Sequence, residues 1–98
     1  MEIKNGKLIS VSSDDIKNGI FINNEITEIG NSVFYNIVSL KEVHCKNVVK
    51  MGNDCLSYNT ALASVTLPAL TQMGNYCLSY NAALASVTLP ALTQMGND

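Results

Sequence analysis

Residues 51–72, MGNDCLSYNTALASVTLPALTQ, are followed at once by MGNYCLSYNAALASVTLPALTQ in residues 73–94. The two stretches differ only at Asp54/Tyr76 and Thr60/Ala82. A chain that repeats itself puts like residues in like surroundings, and a short unit can bury its apolar side chains only against its neighbours. A fixed period of roughly 20 to 29 residues belongs to a solenoid coil. Carried backwards, the 22-residue frame gives an earlier unit starting at Ile29; carried forwards, it gives a stub starting at Met95. The units at 29–50 and 51–72 share only Gly30/Gly52, Asn31/Asn53, Leu40/Leu62 and Val43/Val65. The apolar pattern persists where identity does not. Val33, Phe34, Leu40, Val43, Cys45 and Val48 are answered by Cys55, Leu56, Leu62, Val65, Leu67 and Leu70, then by Cys77, Leu78, Leu84, Val87, Leu89 and Leu92.

Within a unit, ASVTLP alternates as a half-buried strand does, with Val65 and Leu67 on one face and Ser64 and Thr66 on the other. Pro68 stops that strand because it donates no ladder hydrogen bond. Gly52, Gly74 and Gly96 recur at a corner and are expected to adopt positive φ. Asn53 and Asn75 are expected to cap a short helical turn that carries Cys55 and Leu56 inward. Such a coil is too small to fold alone, so the repeat is expected to stack.

The spacing of IGNSVFYNIVSLKEVHC (29–45) and MGNYCLSYNAALASVTLP (73–90) resembles the BspA-like leucine-rich repeats. Their coil reads approximately IG-x-x-AF-x-x-C-x-x-L-x-x-I-x-LP. Val33-Phe34 and Cys77-Leu78 stand in the Ala-Phe slot, and the resemblance spans about residues 19–98. Unit one departs from it with Ile37 at the cysteine position and Lys46 in place of proline. The fold class expected is a repeat solenoid. It is a right-handed leucine-rich-repeat coil with one short parallel strand per repeat and short helical or irregular convex segments. Residues 1–28 are expected to be an N-terminal cap of β-hairpin and short helix, residues 29–50, 51–72 and 73–94 three coils, and residues 95–98 an incomplete fourth. In the cap, Asn5-Gly6 is a hairpin signal. Ser13 is offered as an N-cap with Gly19 as a stop, and Ile20, Ile22, Ile26 and Ile29 are placed inward.

Charge narrows the function. Net charge is −2, and all six lysines and seven of the eight acids lie between Glu2 and Asp54, which leaves Cys55 to Asn97 without a charged side chain. Six basic residues are too few to form a nucleic-acid footprint. No apolar run approaches the roughly 20 residues of a membrane span, and the first residues lack the apolar core of a signal peptide. Nucleic acid, membrane insertion and a cofactor are therefore not expected. Localisation is not read from the residues; the resemblance implies a cell-surface or secreted protein.

No catalytic set survives a face-by-face reading. Alternation sends His44 and Cys45 to opposite faces. Cys55 and Cys77 are expected to stack as buried thiols, with a stacked disulfide as the alternative, and no metal spacing is present. Tyr58/Tyr80 and Asn59/Asn81 read as side-chain ladders. The outward strand residues are the candidate protein-binding surface, on a concave face: Phe21, Glu42, His44, Lys46, Ser64, Thr66, Ser86 and Thr88. The resemblance implies a non-enzymatic interaction or adhesion scaffold whose partner is a host or surface protein. Near-identity of the last two units points to a recent duplication or a copied coil, and the stop within a coil to a cut or engineered fragment. Ala85, Val87, Leu89, Leu92 and Met95 would then lie at an uncapped end and pair with a second chain as a dimer. Ser/Thr rows that bind ice or another regular surface are the alternative.

Overall fold

A computed structural model describes residues 1–78, 81, 86–88, 92 and 94–96, with the backbone pairing alone for 86–88 and 94–95. The chain forms a β-solenoid. A hairpin of β1 (Glu2–Lys4) and β2 (Lys7–Ser10) leads to a 3₁₀ turn at Ser13–Asp15. Every later coil carries two short strands. The three-residue strands are β3 (Ile20–Ile22), β5 (Glu42–His44), β7 (Ser64–Thr66) and β9 (Ser86–Thr88). The two-residue strands are β4 (Glu28–Ile29), β6 (Lys50–Met51), β8 (Gln72–Met73) and β10 (Gln94–Met95). The first set makes one parallel sheet in the order β3-β5-β7-β9. The second set, led by the hairpin, makes the sheet β1-β2-β4-β6-β8-β10. The second strand of each coil was not legible in the sequence, because two residues are too few to show alternation.

Register keeps the 22-residue frame throughout. Val43 lies opposite Val65 and Val65 opposite Val87, while Ile29 pairs with Met51, Met51 with Met73 and Met73 with Met95. Between the sheets, Phe34, Leu40, Val43, Cys45, Val48, Leu56, Leu62, Val65, Leu67 and Leu70 are all fully buried. Phe21 meets Phe34 edge to face, with ring centroids 4.9 Å apart.

The segment opposite the long strands takes the irregular form rather than the helical one. Its backbone bonds run between coils: Ser32 N–H to Asn53 C=O, Phe34 to Cys55, Asn36 to Ser57, Asp54 to Asn75 and Leu56 to Cys77, at 2.8–3.0 Å. A helix would spend those donors within one coil. Here each of them joins two coils, and the buried backbone is satisfied all the same.

The asparagines do not cap helices either. The Asn31 side-chain oxygen accepts the Asn53 N–H at 2.8 Å, and the Asn53 oxygen accepts the Asn75 N–H at 2.8 Å. A second ladder runs in the opposite sense: the Asn59 oxygen accepts the Ile37 N–H at 2.6 Å, and the Asn81 oxygen accepts the Asn59 N–H at 2.8 Å.

Gly52, Gly74 and Gly96 do not adopt positive φ. The left-handed positions are Ser32, Asp54 and Tyr76, and also Asn36 and Tyr58, again 22 residues apart. The glycines are required by close approach. A Cβ on Gly52 would stand 2.9 Å from the Asn31 nitrogen and 3.0 Å from the Gly30 carbonyl carbon.

The N-terminal region shifts two expectations by one residue. Ser12, not Ser13, precedes the 3₁₀ turn, and its N–H donates to the Asp15 carboxylate at 2.8 Å. In β3, Phe21 faces inward and is buried, while Ile22 is 63% exposed and Ile20 half-buried. Phe21 was expected on the outward face. Its register partner is Val43, so it occupies the core column of Val43 and Val65.

Candidate functional site

The outward face of the sheet β3-β5-β7-β9 gathers most of the residues expected there. Register sets Ile20, Glu42, Ser64 and Ser86 in one row, and Ile22, His44, Thr66 and Thr88 in the next. Parallel pairing brings like positions of adjacent coils about 5 Å apart. Each row therefore grades from aliphatic through charged to hydroxyl. Glu42, His44, Ser64 and Thr66 are all half-buried. His44 Nε2 lies 2.8 Å from Glu42 Oε1, so the one histidine of the chain is held against a carboxylate two residues away on the same face. Cys45 is fully buried beneath them.

Phe21 leaves this face, and Ile20 and Ile22 replace it. The signal was available: subtracting 22 from Val43 lands on Phe21, but the Ile-Phe-Ile triplet read locally puts the two isoleucines inside. Lys46 is exposed and lies in the turn after β5, in the slot that Pro68 fills one coil later, so it borders the face. Beyond β3 an open depression is lined by Asp15, Lys17, Ile20 and Ile22.

The hydroxyl residues sit on β7 and β9, and their rows become Glu42/His44 on β5 and Ile20/Ile22 on β3. A continuous hydroxyl array is therefore not present across the sheet.

The three cysteines are free and buried. Burial pushes the Cys45 thiol up to about 11. Cys55 is raised by its contact with the Cys77 thiol and then by burial, and it hydrogen-bonds the Gly30 carbonyl at 2.8 Å. Cys77 likewise donates to the Gly52 carbonyl at 2.9 Å, so Cys55 and Cys77 join neighbouring coils while Cys45 packs in the core. Among the described residues, no group of three or more His, Cys, Asp or Glu could hold a metal ion, and no helix is long and apolar enough to cross a membrane.

Of the self-association candidates, Ala85 and Leu89 lie outside the described residues. Val87 is the central residue of β9 and Met95 the last of β10, and Leu92 packs partly buried against the core.

Two stacked sheets, a 22-residue rise and asparagine ladders define a leucine-rich-repeat solenoid. The family model for the BspA type leucine rich repeat region matches residues 12–98 in six copies. The chain belongs to that family. The match begins seven residues before the point expected from the sequence (residue 19) and takes in the 3₁₀ turn. No curated protein and no solved structure matches.

Proposed function

We propose that the chain is a non-enzymatic protein-interaction scaffold that presents the outward face of β3, β5, β7 and β9 to a partner protein, at the cell surface or after secretion. Family membership supports the interaction role. The observation that favours this face is its grading. Within about 15 Å, three coil spacings, it offers aliphatic, ionic and hydroxyl chemistry on a fixed backbone, whereas the register row of the other sheet sets Lys7, Glu28, Lys50, Gln72 and Gln94, with no aliphatic residue in it. Rigid, mixed surfaces bind extended partners without reordering.

Peptides selected from a random library against the chain test this reading. Binding should fall on His44→Arg or Thr66→Arg and persist on Gln72→Arg. The opposite pattern would move the surface to the other sheet.

A second reading is self-association through the C-terminal coils. It rests on the neutral stretch from Cys55 to Asn97, because strand edges without charges pair readily with other strands. Light scattering across a concentration series should give twice the chain mass, and Leu89→Lys should abolish it. A monomer at every concentration would end this reading and leave the first intact.

A further inference from the structure

The strongest unassigned feature is the depression beside β3. It is lined by Asp15, Lys17, Ile20 and Ile22, on the coil where the repeat pattern is least regular. Ile22 is 63% exposed, a large apolar side chain left open on a strand that is otherwise part of a packed sheet. Isolated exposed aliphatics are ordinary. Two isoleucines on one strand, at the wall of an open depression and in register with Glu42 and His44, form a continuous apolar step.

The charges around this step are not equivalent. The Asp15 carboxylate is already engaged: it accepts hydrogen bonds from the Ser12 N–H at 2.8 Å and from the Ser12 hydroxyl at 3.1 Å, and it lies 3.1 Å from the N-terminal ammonium. Lys17 has no carboxylate within ion-pair reach among the described residues. The uncompensated charge of the depression is therefore positive. A bound apolar side chain would cover Ile20 and Ile22, and a carboxylate next to it would meet the Lys17 ammonium.

We infer that this depression is the anchoring pocket of the binding face and that its occupant is a segment of a partner protein in which an aliphatic side chain is flanked by acidic residues. This rests on the scaffold reading above and deepens it by fixing where on the face the partner's anchor sits. Apolar anchors in pockets carry most of the energy of such contacts, and flanking charges set selectivity.

The probe is a capped heptapeptide with a central leucine between two aspartates. Two controls accompany it, one with lysines replacing the aspartates and one with serine replacing the leucine. Amide chemical shifts of the isotope-labelled full chain report where each peptide binds. The acid-flanked leucine peptide should move the amides of Lys17, Ile20 and Ile22, and both controls should bind roughly tenfold more weakly or not at all. Ile22→Ser, at an exposed position, and Lys17→Glu should each weaken the first peptide by a similar factor, and Lys17→Glu should improve the lysine-flanked one. Shifts confined to His44, Ser64 and Thr66 would overturn the anchor while leaving the binding face standing. Absence of shifts at millimolar peptide, or equal binding by both controls, overturns the anchor as well. The face itself is then judged by the library-selected peptides, whose outcome is independent.

Discussion

The coil at 29–50 and the coil at 51–72 share four residues and nearly one backbone. Their strands pair in unbroken register, Glu42 to Ser64 and Lys50 to Gln72, and both place left-handed residues at equivalent positions, Ser32 with Asp54 and Asn36 with Tyr58. The four shared residues show what the fold holds fixed. Gly30 and Gly52 lie where one coil's backbone presses on the next. The Asn31 oxygen accepts the Asn53 N–H. Leu40/Leu62 precede the strand, Val43/Val65 stand at its centre, and all four side chains are fully buried. Other positions vary, some across polarity classes, as at Ile37/Asn59 and Val49/Thr71. Between the two coils the outward strand residues change from Glu and His to Ser and Thr, and the charge disappears. The frame is thus set by contacts between coils, and the surface is left available for partners.

Ways to break this comparison begin with the glycines. Gly52→Ala sets a methyl group against the Asn31 nitrogen and the Gly30 carbonyl carbon. Overpacking against rigid backbone should cost about 3 kcal/mol, read as a fall in the urea midpoint. Gly30→Ala should cost clearly less, because its nearest neighbours are the Leu8 oxygen at 3.0 Å and the flexible Lys7 side chain. Equal losses would show that corner geometry, not coil contact, selects glycine.

Asn59 comes next. It is fully buried, accepts the Ile37 N–H at 2.6 Å and donates to the Leu56 carbonyl at 2.9 Å. Asn59→Leu fills the space but leaves both backbone groups without partners, at a cost of about 2 kcal/mol. Unit one has Ile37 in this slot, so that coil runs without an asparagine there. A neutral Asn59→Leu would therefore mean that the second ladder is dispensable.

The opposite sign is expected at Tyr76, an exposed aromatic held at φ 59°. A bulky side chain in the left-handed region is strained, and asparagine tolerates that region better. Tyr76→Asn should stabilise the chain by up to about 1 kcal/mol, seen as a rise in Tm.

Stacking, the inward alternation that starts at Val43 and Val65, and the Asn59/Asn81 ladder were legible in the sequence because residues 22 apart answer one another. The roles of glycine and asparagine were not. A recurring Gly-Asn pair looks the same whether it turns a corner or presses two coils together, and only the neighbouring backbone distinguishes them. Phe21 was misplaced for a related reason. Three apolar residues in a row carry no alternation, and the long-range frame that assigns Phe21 to the core was overridden by a local reading. The outward row was legible on β5 and β7, where hydroxyl and charged residues alternate with valine. The depression beside β3 was not, since it needs the 3₁₀ turn and β3 brought together.

The finest test of the comparison is Lys46→Pro. Lys46 occupies the turn position that Pro68 occupies one coil later, and both follow a fully buried residue just past the strand, Cys45 or Leu67. If the two coils share backbone conformation at this turn, proline fits without strain and restricts only the unfolded chain. It should then add about 0.5 kcal/mol, detectable as a small rise in the urea midpoint at unchanged slope. A loss of more than that would place the φ of Lys46 outside the proline range. The near-identity of backbone between the two coils would then end at the strand, and the charged coil would have a turn of its own.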